Sequence, residues 1–545
     1  MINYSLKPRA QASSIITFTC CLFISSWFTA HTSCAADTGQ KSTRPNIVLI
    51  IADDLGYGDL SCYGATRIKT PNIDRLAAQG IRFTQGYAPS STCTPTRYSI
   101  LTGEYAWRQP SKKTGILDGD APLCITPGRF TLPAMLQASG YKTGVVGKWH
   151  LGLGDGQTAV DFNQDVKPGP NEIGFGYSYI IPATVDRVPS VWIENSRVIN
   201  LDPSDPIRVS YTNNISDGPC GTERPDLLKQ AADKQHAGII INGISRIGYM
   251  SGGKKARFKD EELASTVVRK SIDYISGNTN TPFFLYVGFF EPHVPRVAEP
   301  PFVGTSSCGV RGDVIQQLDW ATGEILKALD RLNLSENTLV LLTSDNGPIF
   351  FDGYGDRSVE EANGHLPAGA LRGYKYLVYE GACRVPLIAR WPARVTPRVS
   401  NHLFNLVDLF ATLAPLAGVK MPSAAARDSM DLSSCLLNQE SLPLRDHTIL
   451  HGLSDTLAIR QGDWKYIPSN THQVPAGMGR GANPSDARFS ESRIPEPLLF
   501  NLSEDPGEII NVIQNHPQIA ESLRKLLLTL TDKSERQLLN ETAPH

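Results

Sequence analysis

Hydrophobic residues in this chain gather into short unbroken runs rather than into strict alternation. The first is Asn46-Ile47-Val48-Leu49-Ile50-Ile51-Ala52; later runs are Thr143 to Val146, Phe283 to Phe289, Thr338 to Leu342 and Val385 to Ala389. Such runs, rich in β-branched residues, suit strands buried on both faces, as in a parallel sheet covered by helices. Between them lie segments of helical period. From Asp313 to Leu332, apolar Val314, Leu318, Ala321, Ile325 and Leu329 share one helix face. Strands alternating with helices predict a doubly wound α/β domain. From about 153 to 262 the chain is rich in Pro, Gly and Asn and weak in periodicity, which predicts long loops, short strands and the rim of a site. Near residue 440 the pattern changes. Thr448 to His451, Leu457 to Arg460, Trp464 to Ile467 and Leu498 to Asn501 are short runs separated by turns, as in a small antiparallel sheet. A helix over 516–531, with Ile519, Leu523, Leu526, Leu527 and Leu530 on one side, closes the pattern.

The expected layout is therefore an α/β domain over 46–440 and a smaller α+β subdomain over 441–545. Ahead of them, Lys7 and Arg9 precede an apolar stretch from Ile15 to Phe28 and the small residues Cys34-Ala35-Ala36. That order predicts a secretory signal over 1–36, cleaved near Ala36, then a linker over 37–45 and a protein exported to the periplasm or beyond. An uncleaved anchor is the alternative. The stretch is too short and too polar for a typical membrane span, and no stable membrane partner is expected. With 41% hydrophobic and 19% charged residues, the 545-residue chain is not disordered in bulk. Its net charge of −2 lacks the basic excess of a nucleic-acid binder. Ten cysteines fall to seven after cleavage, and no Cys-x-x-Cys pair suggests structural zinc. An odd number leaves at least one cysteine outside any disulfide.

Polar residues follow the apolar runs directly: Asp53 and Asp54, then Lys148 and His150, Glu291 and His293, Asp345 and Asn346. In open α/β sheets ligands bind beyond the carboxyl ends of the strands, so four strands deliver these side chains to one edge. Each has a bland reading: an Asp capping a helix, a solvated lysine, a core histidine. Together, three carboxylates and an amide are hard oxygen donors suited to Ca²⁺, or to Mg²⁺, rather than zinc.

A further segment, Ser91-Thr92-Cys93-Thr94-Pro95-Thr96-Arg97, followed by Leu101-Thr102-Gly103, resembles the Cys-x-Pro-Ser-Arg and Leu-Thr-Gly signature of the type I sulfatase family, with Thr96 in place of Ser. Other elements resemble that family in order. They are Asp53-Asp54, Gly147-Lys148-Trp149-His150, Pro292-His293, Asp345-Asn346-Gly347, Lys375 with Glu380-Gly381, and Leu502-Ser503-Glu504-Asp505-Pro506. Ala382 and Cys383 depart from the stretch that usually follows Glu-Gly. The resemblance covers roughly 45 to 530.

The family implies an alkaline-phosphatase-like fold: a large doubly wound mixed sheet flanked by helices, plus a smaller C-terminal antiparallel sheet packed with a terminal helix. It implies a divalent cation, Ca²⁺ foremost, held by Asp53, Asp54, residue 93, Asp345 and Asn346. It also implies that a formylglycine-generating enzyme converts Cys93 to formylglycine, whose hydrate attacks sulfur. By the same resemblance Arg97 and Lys148 hold the nucleophile and the sulfate. His150 takes a proton from the remaining hydroxyl, and His293 with Lys375 protonates the departing oxygen. Thr184 falls where the family often places a sulfate-binding hydroxyl.

The expected activity is hydrolysis of sulfate monoesters, with sulfated carbohydrate as the preferred substrate and aryl sulfates as surrogates. Rival readings are a phosphonate or phosphate monoester hydrolase of the same superfamily, or an inactive glycan-binding relative.

Overall fold

The computed structural model describes residues 44–109, 115–422, 424–437, 445–453, 456–469 and 494–531. The expected signal segment and most of the linker lie outside the described residues. The run Asn46–Ala52 is strand β1. It sits near the middle of a ten-stranded sheet with β2 Ile81–Phe83, β3 Lys142–Lys148, β4 Tyr177–Ile181, β5 Ile193–Glu194, β6 Arg197–Val198, β7 Phe283–Gly288, β8 Thr338–Ser344, β9 Leu387–Arg390 and β10 Arg398–Ser400. The spatial order is β10-β2-β9-β8-β1-β7-β3-β4-β5-β6. The five central strands β8, β1, β7, β3 and β4 run parallel. Beyond them β9 runs antiparallel to β8, and β5 antiparallel to β4, so the sheet is mixed.

Both faces of β1 are buried, which is why its sequence does not alternate. Ile47, Leu49 and Ile51 enter one apolar cluster. Val48, Ile50 and Ala52 enter the other. On the first face packs helix α1, Cys93–Thr102, all ten of whose residues are buried. On the second pack α2, Leu263–Ser276, and α3, Gly309–Arg331. The face of α3 foreseen from spacing is the buried one: Val314, Leu318, Ala321, Ile325 and Leu329.

Region 153–262 consists of loops, short two- and three-residue strands and single 3₁₀ turns around β4 to β6. The C-terminal runs form a four-stranded antiparallel sheet in the order β11 His447–His451, β12 Leu457–Gln461, β13 Trp464–Ile467, β14 Leu498–Asn501. Its period-two pattern gives it two working faces. Ile449, Ile459 and Leu499 pack with Leu523 and Leu527 of α4, Pro517–Thr531. Leu450, Ala458, Ile467 and Phe500 pack with Tyr376, Val378 and Tyr379 of the main domain. No helix of the described residues is long and apolar enough to cross a membrane.

Candidate active site

Strand register builds the site. Pairing sets Ala52 beside Ser344, Ile51 beside Gly288, and Gly288 beside Gly147. The next residues along, Asp53, Asp345 and Lys148, therefore leave the sheet at one level. Gly147 has φ +102°, and a Cβ there would lie 1.9 Å from the Gly288 carbonyl oxygen, so only glycine lets the two strands meet as Lys148 turns into the site. Helix α1 brings its N-terminus to the same edge, with Cys93 Sγ 3.6 Å from Asp53 Oδ1. The positive end of the helix dipole thus faces the carboxylates.

The charges here are buried and interlocked. Lys148 Nζ lies 2.5 Å from Asp53 Oδ2 and 3.8 Å from Asp345 Oδ2. Arg97 donates through Nε to Asp345 Oδ2 at 2.9 Å and through Nη1 to Tyr286 Oη at 3.1 Å. Lys375 Nζ reaches Asp54 Oδ2 and Asp352 Oδ2, each at 3.0 Å. Asn346 Nδ2 donates to Asp54 Oδ1 at 2.7 Å. Burial, opposed by Lys148 and reinforced by Asp345 and Asp54, pushes the Asp53 carboxyl up to about 8.

This donor set fits a hard divalent cation. Asp53, Asp54, Cys93 and His293 each offer one donor atom, all within 4.8 Å of one another. Beside Asp54, the Oδ1 of Asn346 is buried with no hydrogen-bond partner. Asp345 is turned toward Arg97 and Lys148, and its Oδ1 accepts from the Asp54 N–H at 3.3 Å. His293 thus stands in the compact donor cluster, a neighbour the sequence pattern did not suggest for the metal.

Two histidines are fixed as neutral tautomers. His150 Nε2 lies 2.9 Å from the Leu117 carbonyl oxygen, which can only accept, so Nε2 carries the proton and Nδ1 the lone pair. That Nδ1 is buried without a partner. Burial, with Lys148, Arg187 and Arg97 nearby, holds His150 well below the usual imidazole range. His293 donates from Nδ1 to the Val294 carbonyl at 2.5 Å, leaving Nε2 bare 3.7 Å from Asp54 Oδ2. Burial, Lys375 and Lys148 depress it likewise. Burial also pushes the Cys93 thiol well above its ordinary value, so an unmodified Cys93 stays protonated and is a poor nucleophile.

Above these groups opens a cavity of about 570 Å³. Cys93, His150, Thr184, His293 and Lys375 line it. Arg97, Lys148, Asp53, Asp54, Asp345 and Asn346 are not among its lining residues; they lie beneath, 0–1% exposed. The far wall draws largely on the aperiodic region 153–262, which the sequence assigns to the rim of a site. It carries Asp186, Arg187, Asp233, His236, Asp352 and Tyr376. Thr184 hydroxyl donates to Asp186 and accepts from Arg187 Nη1 at 3.0 Å. Burial works against the charge of His236, but Asp186 and Asp233 outweigh it and push its pKa to about 9. These residues come from aperiodic loops, where no local pattern marks them. Two other cavities, of about 720 and 1060 Å³, are larger, and among the described residues no comparable donor cluster lines them.

The Sulfatase family model matches residues 45–419. The chain is 48% identical to the N-acetylgalactosamine-6-O-sulfatase of Bacteroides thetaiotaomicron, over 90% of this chain and 94% of that protein. It is 32% identical to human arylsulfatase A, over 89% of this chain and 87% of that one. A solved 6S-sulfatase structure tied to glycosaminoglycan metabolism by Bacteroides thetaiotaomicron superposes with a TM-score of 0.86 at 47% identity, covering 90% of this chain and all of that one.

Proposed function

The chain belongs to the type I sulfatase family and hydrolyses sulfate esters, and from that premise we propose that it is an exported carbohydrate sulfatase acting on 6-sulfated N-acetylgalactosamine. The substrate class rests on the 48% identity to an N-acetylgalactosamine-6-O-sulfatase. The chemistry rests on one observation: a buried Cys93 at a helix N-terminus, 3.6 Å from Asp53, at the floor of a cavity flanked by two neutral histidines.

Formylglycine made from Cys93 would supply, as its hydrate, one hydroxyl to attack sulfur and a second through which sulfate is expelled, while one Ca²⁺ held by Asp53, Asp54, Asp345 and Asn346 would neutralise sulfate oxygens. The chain's own residues do the rest. His150 Nδ1, a buried lone pair with no protein partner, receives the proton from the remaining hydroxyl at position 93. Lys148 and Arg97 hold Asp53 and Asp345 in place from beneath. Lys375 places an ammonium at the cavity wall against the leaving side of the ester. His293 Nε2 is bare in the free site; an arriving sulfate raises its proton affinity, so the imidazole gains a proton as the anion binds and returns it to the departing oxygen.

Sulfate release from N-acetylgalactosamine 6-sulfate, compared with the phosphate ester of the same sugar, tests the reading. Preferred hydrolysis of the phosphate ester would replace it. Mass spectrometry of the peptide containing residue 93 tests the nucleophile, and a fully active enzyme with only a thiol there would remove the formylglycine step.

A further inference from the structure

The far wall of the cavity is built of charges that cancel one another. Arg187 gives Nη1 to Asp186 Oδ2 at 3.1 Å and turns Nε toward Asp118 at 3.4 Å. His236 holds Asp233 through Nδ1 at 2.7 Å and faces Asp186 Oδ2 through Nε2 at 3.7 Å. At the border with the catalytic floor, Asp352 takes Lys375 at 3.0 Å and accepts from the Tyr376 hydroxyl at 2.9 Å. Among the described lining residues, the cation with no carboxylate on it is Lys234, exposed at the mouth. Asp186 is the common partner: 2% exposed, it is shared by Thr184, Arg187 and His236.

Such a wall discriminates by hydrogen-bond type. A sugar hydroxyl can donate to a carboxylate and accept from Arg187 or His236. A sulfate ester can only accept, carries charge, and meets carboxylates whose cations are already engaged. Like charges brought together in a partly enclosed cavity repel one another, because they are screened less there than in open solvent. The catalytic floor is the opposite environment, with a helix N-terminus, Lys375 and a cation-binding donor set.

From this contrast we infer that the cavity takes a sugar ring carrying one sulfate, the one over residue 93, and rejects a ring with a second sulfate, and that Asp186 is the residue that enforces this. The inference rests on the carbohydrate-sulfatase reading above and goes further, to which sulfated rings are turned over.

The test compares kcat/KM for removal of the 6-sulfate from N-acetylgalactosamine 6-sulfate and from N-acetylgalactosamine 4,6-disulfate. The wild-type enzyme should favour the monosulfated sugar by on the order of 100-fold. Asp186→Asn keeps the shape but removes the charge, and it should narrow that ratio by about tenfold or more, chiefly through KM for the disulfate. Binding of both sugars to Cys93→Ala, measured by calorimetry, reads the same preference without turnover, and it also serves if Asp186→Asn does not fold. Equal use and equal binding of the two sugars by unsubstituted wall residues would overturn the inference while leaving the sulfatase reading standing. An unchanged ratio in a folded Asp186→Asn would overturn the role of that residue. Neither binding nor turnover of either sugar would remove the carbohydrate reading, and this inference with it.

Discussion

Asp54, His150 and Tyr376 sit at φ +62°, +56° and +83°, a region that side-chain-bearing residues seldom occupy. Each belongs to the site: a carboxylate of the donor cluster, an imidazole on the cavity, and the hydroxyl that holds Asp352. The surrounding structure over-determines these conformations, as strain held at a functional centre requires. His150 is the sharpest case, with one nitrogen committed to Leu117 and the other bare. His150→Ala should lower kcat by roughly 10²–10⁴-fold, as steady-state rates on protein shown to be folded would register. His236 gives a pH prediction. Its charged form is stabilised in the fold, with a pKa near 9 against 6.5, so its contribution is full below pH 6.5 and is lost as pH rises through about 9. Up to about 3 kcal/mol is at stake. Urea unfolding should therefore show wild-type stability falling across that window, with a flatter profile in His236→Asn. Asp53, Asp54, Lys148, His150, His293, Asp345 and Asn346 could be singled out from sequence because they stand at or just beyond the ends of buried strands, whereas Cys93, Arg97 and Lys375 stood out only through the resemblance to a family signature. Asp186, Arg187, His236 and Asp352 could not, because nothing near them repeats.

The C-terminal sheet holds segments of the candidate site without lining the cavity. His451, at the end of β11, accepts from the Ser91 N–H at 2.8 Å, and the Ser91 carbonyl accepts from the Tyr376 N–H at 3.0 Å. One strand end thus ties the turn before Cys93 to the segment of Lys375. Below that tie, Lys465 of β13 lies between Glu380 at 3.1 Å and Glu508 at 2.8 Å, all three fully buried. Burial, opposed by Lys465 and reinforced by Glu380, lifts Glu508 to about 7. Lys465→Ala would leave two buried carboxylates facing each other and should destabilise by about 3–5 kcal/mol, seen as a lower denaturant midpoint. Cutting the chain after residue 440 should abolish activity even where β1 to β10 remain, because both catalytic segments lose their anchor; activity of the purified fragment decides it. At this scale the sequence was informative where periodicity was strong. The helix 313–332 appears as Gly309–Arg331 and the helix 516–531 as Pro517–Thr531. The run 385–389 appears as Leu387–Arg390, antiparallel to its neighbour, a direction no local pattern encodes.

Across the whole molecule, the buried donor cluster of Asp53, Asp54, Cys93 and His293 gives the proposed cation a second expected effect, on the stability of the fold. Removing divalent ions with a chelator should lower both activity and thermal midpoint, and Ca²⁺ should restore them. At 100 times its dissociation constant an ion contributes about 2.7 kcal/mol. A midpoint indifferent to chelation would argue against the site. The sheet order carries a different consequence, one of time. Central strand β1 pairs with β7 and β8, whose last residues are Gly288 and Ser344, so the middle of the sheet cannot close until those residues have been made. Cys93, 1% exposed in the folded chain, cannot reach that burial before the closure. Between synthesis of residue 93 and of residue 344 lie roughly 250 residues, an interval on the order of 10–50 s at about 5–20 residues per second. The oxidation proposed at Cys93 therefore has an appointed window, opening as the segment emerges and shutting when the sheet closes, and the late position of two strands is what holds it open.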